Sequence, residues 1–217
     1  PTRRSSDLEI NNIMKRHFIG AIMLIAALIM TGCNNNKKEK NQKEEQTEVK
    51  EEKTQLPNRM LIIVDPQIDF TTGSLATKNG PAAMDYLAKA LDNAAWKNYS
   101  WIIVTQDAHP ANHCSFVEQG GVFPPHCVQG TEGMKVYPTL QNVLNTLTQN
   151  ISDIHYMQKG DLADKEEFSI FQNQQSGAKL RAVIEEKKFE GIDICGIATD
   201  YCVYETTKES LDRKSVV

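Results

Sequence analysis

The sequence predicts an α/β domain built on a mostly parallel sheet, and three observations carry that prediction. Met60-Leu61-Ile62-Ile63-Val64, Trp101-Ile102-Ile103-Val104, Ile154-His155-Tyr156-Met157 and Ile192 to Ile197 are short apolar runs that read as strands. Segments of helical periodicity separate them. Every strand also leads into polar residues at its carboxyl end, where ligands gather in open α/β sheets.

Taken in order, the first strand is apolar on both faces, as a strand covered by helices must be. Pro81 to Lys97 reads as a helix with proline at its start and Met84, Leu87, Ala88 and Leu91 along one face. Trp101 to Val104 is the second strand and Tyr137 to Leu147 the next helix. Ile154 to Met157 is a weaker strand. Ala178 to Lys188 then places Leu180, Val183 and Ile184 on one face before the fourth strand.

The flanks differ in kind. Met14 reads as a start, followed by a basic pair, Lys15 and Arg16, and an apolar run from Phe18 to Met30. Thr31-Gly32-Cys33 closes that run, so residues 14–33 resemble a bacterial lipoprotein signal in which Cys33 is lipidated. The chain is then expected in the cell envelope, held by lipid on a periplasmic or surface face. Residues 34–57 are rich in Asn, Gln, Lys and Glu and read as a polar tether. Residues 1–13, opening PTRRSSDL, and residues 212–217, DRKSVV, resemble translated adaptor sequence and are set apart from the fold. Residues 58–211 form the predicted domain, expected to continue past Leu211. With a formal net charge of −4, nothing favours a nucleic-acid partner.

The polar residues after the strands are those that do chemistry. The first strand ends in Asp65, the second in Asp107-Ala108-His109, and the third in Lys159. The fourth leads through Ala198-Thr199-Asp200 to Cys202, and His126 lies on the long loop after the second. Singly, each has a structural reading, and GIATDYCVYET leaves Cys202 open as nucleophile or small buried residue. Together on one rim, a carboxylate, an Asp-x-His pair, a lysine and a thiol point to catalysis.

VDPQIDF, TQDAHPANHCSF, FPPHCVQGTEG, MQKGD and GIATDYCV resemble the nicotinamidases of the isochorismatase-like cysteine hydrolases, over about Arg59 to Leu211. The resemblance implies a three-layer αβα fold with strand order 3-2-1-4-5-6, its last strands lying beyond this chain. It implies Cys202 as nucleophile, Asp65 as proton carrier, and Lys159 holding Asp65 charged and favouring a thiolate. The oxyanion would meet the N–H groups of Ala198 and Cys202, beside a cis peptide between Ile197 and Ala198. Asp107, His109 and His126 would bind one divalent metal, zinc or alternatively iron or manganese, with His113 an optional further ligand. Phe70, Phe123 and Phe168 would wall a pocket for nicotinamide. Phe123 and Phe168 depart from the pattern, where Trp and Tyr are commoner, so substrate preference is less defined than reaction type. Two other readings stand beside this one: an amidase for another small amide or ureido substrate, and a lipid-anchored pyridine-binding protein without turnover. The sequence leaves open self-association into a homo-oligomer and a bond between Cys114 and Cys127.

Overall fold

The computed structural model describes residues 55–211. The lipoprotein signal with Cys33, all but the last few residues of the tether, and residues 212–217 lie outside the described residues. Four parallel strands form one sheet in the order β3-β2-β1-β4: β1 (Arg59–Val64), β2 (Trp101–Asp107), β3 (Asp153–Lys159) and β4 (Gly191–Gly196). This is the predicted class. The fifth and sixth strands of the expected order fall on no described residue.

Alternation along β1 assigns its residues to two cores. Leu61 and Ile63 face a layer made by α2 (Gly80–Asp92) and α3 (Pro138–Leu147). Met84, Ala88 and Leu91 of α2, and Leu140, Leu144 and Leu147 of α3, are buried there. Met60, Ile62 and Val64 face the opposite layer, with Leu180 of α4 (Gln174–Lys187), Phe171 and Cys202. A short helix, α1 (Ile68–Thr71), follows β1, and α5 (Tyr204–Leu211) follows the cysteine turn. The layering is therefore helix, sheet, helix.

Several boundaries differ from those expected. The first long helix stops at Asp92, because Ala94 turns left-handed (φ 77°) and Ala95–Asn98 winds separately as a 3₁₀ turn. Helix α4 begins at Gln174, ahead of Ala178, because the Asn173 side chain accepts from the N–H groups of Gln175 and Ser176. Strands β2 and β3 outrun their apolar cores as far as Asp107 and Lys159, which are register partners. That extension positions the site.

Candidate active site

Pairing carries the key residues to the carboxyl rim. Asp65 follows the last residue of β1 with φ 47°, a left-handed conformation that Asp tolerates better than most residues. The Thr105 hydroxyl donates to Asp65 Oδ1 over 2.7 Å and accepts from the Asp65 N–H over 3.1 Å. Asp107 is fixed by Gln67, whose amide oxygen accepts from the Asp107 N–H and whose nitrogen donates to the Asp107 carbonyl, both over 2.8 Å. Lys159 is fully buried among these groups. Its Nζ lies 2.9 Å from Asp65 Oδ2, in hydrogen-bond contact with Asp107 Oδ1, and 3.5 Å from Cys202 Sγ.

Cys202 sits in a π-helical turn, Thr199–Val203, rather than in the first turn of an α-helix. Wide turns of this kind recur at functional sites. The Ile197–Ala198 peptide before it is cis, as the resemblance implied. The Ala198 carbonyl accepts from the N–H groups of Tyr201 and Val203, while the Ala198 N–H meets no acceptor among the described residues. Asp65, Asp107 and Cys202 bring carboxylate oxygens and sulfur within 4.8 Å of one another.

Burial governs the protonation of this cluster. It pushes the Cys202 thiol well above its ordinary range, with Lys159 pulling the other way and losing. Burial likewise raises Asp65 despite the adjacent ammonium. Lys159 thus pulls Asp65 and Cys202 toward their charged forms, the sign expected of it, and desolvation opposes that pull at both groups. Asp107 moves the other way, because Lys159 and His109 together overcome its burial.

Asp107, His109 and His126 form a compact donor set, with one ligand atom from each within 4.8 Å of the others. Two backbone contacts prepare the imidazoles. His109 Nδ1 donates to the Gly160 carbonyl over 2.9 Å, and His126 Nδ1 to the Pro124 carbonyl over 2.8 Å. A carbonyl only accepts, so each Nδ1 carries a proton and Nε2 is the nitrogen left to face a metal. A carboxylate with two such nitrogens suits a divalent cation of the zinc, iron or manganese kind. His113 stands apart from this set. Its Nε2 donates to the Lys165 carbonyl over 3.0 Å and its Nδ1 meets Ser115 Oγ over 2.7 Å, which engages both ring nitrogens. Its ring lies against His109, centroids 4.0 Å apart and planes tilted by 32°.

Phe70, Phe123 and Phe168 all line a cavity of about 240 Å³ that opens onto Asp107, His126, Ala198 and Cys202. That space suits a single-ring ligand. Tyr201, which sequence reasoning passed over, also lines it, with its ring 5.9 Å from Phe123 and 5.5 Å from Phe168. Its place beside Cys202 in the motif was the available signal. Cys114 and Cys127 are both free thiols, which answers the open question of their pairing.

The isochorismatase domain profile matches residues 59–214, most of the chain and all of the site just described. The chain belongs to the isochorismatase family. Among isochorismatase-family relatives, the nicotinamidase/pyrazinamidase of Mycobacterium tuberculosis (strain ATCC 25618 / H37Rv) is 34% identical over 162 residues, covering 70% of this chain and 78% of that protein. The pyrazinamidase of Pyrococcus horikoshii, solved in complex with zinc, superposes with a TM-score of 0.59 at 30% identity, over 74% of this chain and 86% of that one. PnC1 from L. infantum, solved in complex with nicotinate, gives a TM-score of 0.62 at 32% identity, over 74% and 78%.

Proposed function

We propose that this protein is a nicotinamidase that hydrolyses nicotinamide to nicotinate and ammonia through a thioester on Cys202. The observation that carries the reading is Lys159, buried between Asp65 and the Cys202 sulfur, with Cys202 itself lining an aromatic-walled cavity. The family membership and the activities named for its relatives support it.

The pyridine ring lies between Phe70, Phe123 and Phe168 with its carboxamide over Cys202. Asp65, its carboxylate held beside the Lys159 ammonium, accepts the thiol proton as sulfur attacks the carbonyl carbon. The Lys159 ammonium stabilises the negative charge shared by the pair. The oxyanion is received by the N–H groups of Ala198 and Cys202. Collapse breaks the C–N bond, Asp65 returns the proton to nitrogen, and ammonia leaves a thioester. Water then attacks that carbon while Asp65 takes one of its protons. Expulsion of the thiolate, reprotonated from Asp65, frees nicotinate. Asp107, His109 and His126 would hold a divalent metal, which when bound would supply Lewis-acid chemistry to the ring nitrogen.

Ammonia and nicotinate should appear in equal amounts from nicotinamide, and hydroxylamine should trap an acyl group on Cys202. Turnover of a ureido substrate with none on nicotinamide would move the assignment to a related amidase. Binding of nicotinamide with no ammonia at all would leave a pyridine-binding protein. We also propose that Cys33 is lipidated. Cys33→Ser should shift the full chain out of the detergent phase, and unchanged partitioning would refute that anchor.

A further inference from the structure

Glu167 is a buried carboxylate that the mechanism does not use. It is 1% exposed, and its oxygens are fully engaged. Oε2 accepts from the Gly160 N–H over 2.9 Å and from Asn173 Nδ2 over 2.8 Å, and Oε1 accepts from Lys165 Nζ over 2.6 Å. Two of these contacts lead directly into the site. Gly160 receives Glu167 on its N–H and His109 Nδ1 on its carbonyl, so one peptide unit on either side of its Cα links the carboxylate to the imidazole. The position admits no side chain: φ is +65°, and a Cβ would stand 2.5 Å from the His109 ring. The backbone carbonyl of Glu167 also accepts from Lys159 Nζ over 3.3 Å. Lys165 closes the circuit, because its carbonyl accepts from His113 Nε2 and the His113 ring lies against His109.

We infer that Glu167 is a positioning residue that couples the two halves of the site, holding His109 through Gly160 and Lys159 through its own carbonyl. The metal half of this inference rests on the nicotinamidase reading above; the Lys159 half does not. The logic is that of outer-shell support. An imidazole oriented by its Nδ1–H binds metal well only while the accepting carbonyl is itself held, and losing such support weakens metal binding by about 10–100-fold. Asn173 anchors the carboxylate in turn, since the same side chain caps α4 and so ties the loop to a rigid element.

The test uses the full chain with Glu167→Gln, which keeps the shape and removes the charge, and Glu167→Asp, which keeps the charge and shortens the arm. Zinc affinity is read by competition with a chromophoric chelator. The rate of Cys202 alkylation by iodoacetamide at fixed pH, followed by peptide mass spectrometry on the metal-free chain, reports Lys159 placement. We expect zinc affinity to fall about tenfold or more in Glu167→Gln and less in Glu167→Asp, with slower alkylation of Cys202 in the same order. Zinc affinity within twofold of wild type together with unchanged alkylation would overturn the inference. So would a lowered melting temperature with both readouts intact, which is the signature of a merely structural carboxylate. If the wild-type chain takes up no zinc, the metal set of the proposed function fails, and alkylation alone decides: slowing supports the hold on Lys159, and an unchanged rate refutes it. If Glu167→Gln does not fold, the same criteria apply to Glu167→Asp.

Discussion

Two ion pairs flank the same six-residue strand. Arg59 opens β1 and meets Asp193 of β4 over 2.8 Å, while Asp65 follows the strand's last residue and meets Lys159 over 2.9 Å. Their lengths are alike and their surroundings are not. The first pair has side chains 35% and 43% exposed, and the second is wholly buried. An exposed pair exchanges one well-solvated state for another and contributes little. A buried pair must offset the loss of two hydration shells, and replacing such a pair by apolar residues is often stabilising. The difference teaches that the carboxyl end of the sheet keeps charges that an apolar core would not choose. Their return is chemical.

The largest effect should come from removing the group that the buried end serves. Cys202→Ala should lower ammonia release by on the order of 10⁴-fold or more, with zinc content and folding retained. Turnover within tenfold of wild type would break the comparison at its root, because the buried charges would then have no nucleophile to support.

Next comes Lys159→Met, set beside Arg59→Met. The first leaves two carboxylates, Asp65 and Asp107, buried without their cation and should cost about 3–5 kcal/mol in urea unfolding. The second should shift the melting temperature by no more than about 3 °C. Equal losses would mean that burial does not separate the two ends.

His126→Ala sharpens the comparison further, since the buried end alone is expected to gather a metal. Elemental analysis after dialysis should show zinc stoichiometry well below that of wild type, and titration an affinity lower by about 100-fold. An unchanged stoichiometry would remove His126 from the ligand set.

The smallest effect belongs to the exposed end. Tyr99 O–H donates to Asp193 Oδ2 over 2.8 Å, and partial burial together with that bond pushes the phenol up from 10.0 to about 12. A raised folded value means that the phenol's contribution is fully present below pH 10.0 and is lost as the pH rises through about 12. The stability difference between wild type and Tyr99→Phe should therefore be flat below pH 10 and shrink above it. A difference that grew with pH would contradict the assignment.

Much of this architecture was legible in the sequence because its physics is local. Apolar runs such as Met60 to Val64 announce strands, and the repeat of Met84, Ala88 and Leu91 announces a covered helix face. The strand ends were not legible. Thr105 to Asp107 and Gln158 to Lys159 stay in the sheet because their backbones pair, whatever their side chains. The break at Ala94 escaped notice because nothing but its backbone conformation marks it. At the site, the Asp-x-His pair and ATDYC pointed to groups that the structure brings together around one cavity. They could not reveal Gln67, Thr105 or Glu167, which act through hydrogen bonds made by tertiary placement. Glu167 in particular stands in DKEEF, where Glu166 is chemically identical and no periodicity separates the two. Nor could pattern alone weigh Lys159 against desolvation, because that balance depends on how completely the neighbours exclude water.

The strand order has a kinetic consequence. β1 lies between β2, its successor in the chain, and β4, so Arg59 and Asp193 meet across 134 residues of sequence. Pairing at such separation is entropically expensive and forms slowly compared with hairpins or adjacent helices. Asp65, Asp107 and Lys159 can converge once the first three strands have assembled, but Cys202 joins them only when β4 docks. Until then the sulfur is open to solvent, while afterwards it is 6% exposed. The slowing of alkylation at this one thiol during refolding is therefore a clock for the docking of β4 beside β1, readable without substrate and without metal.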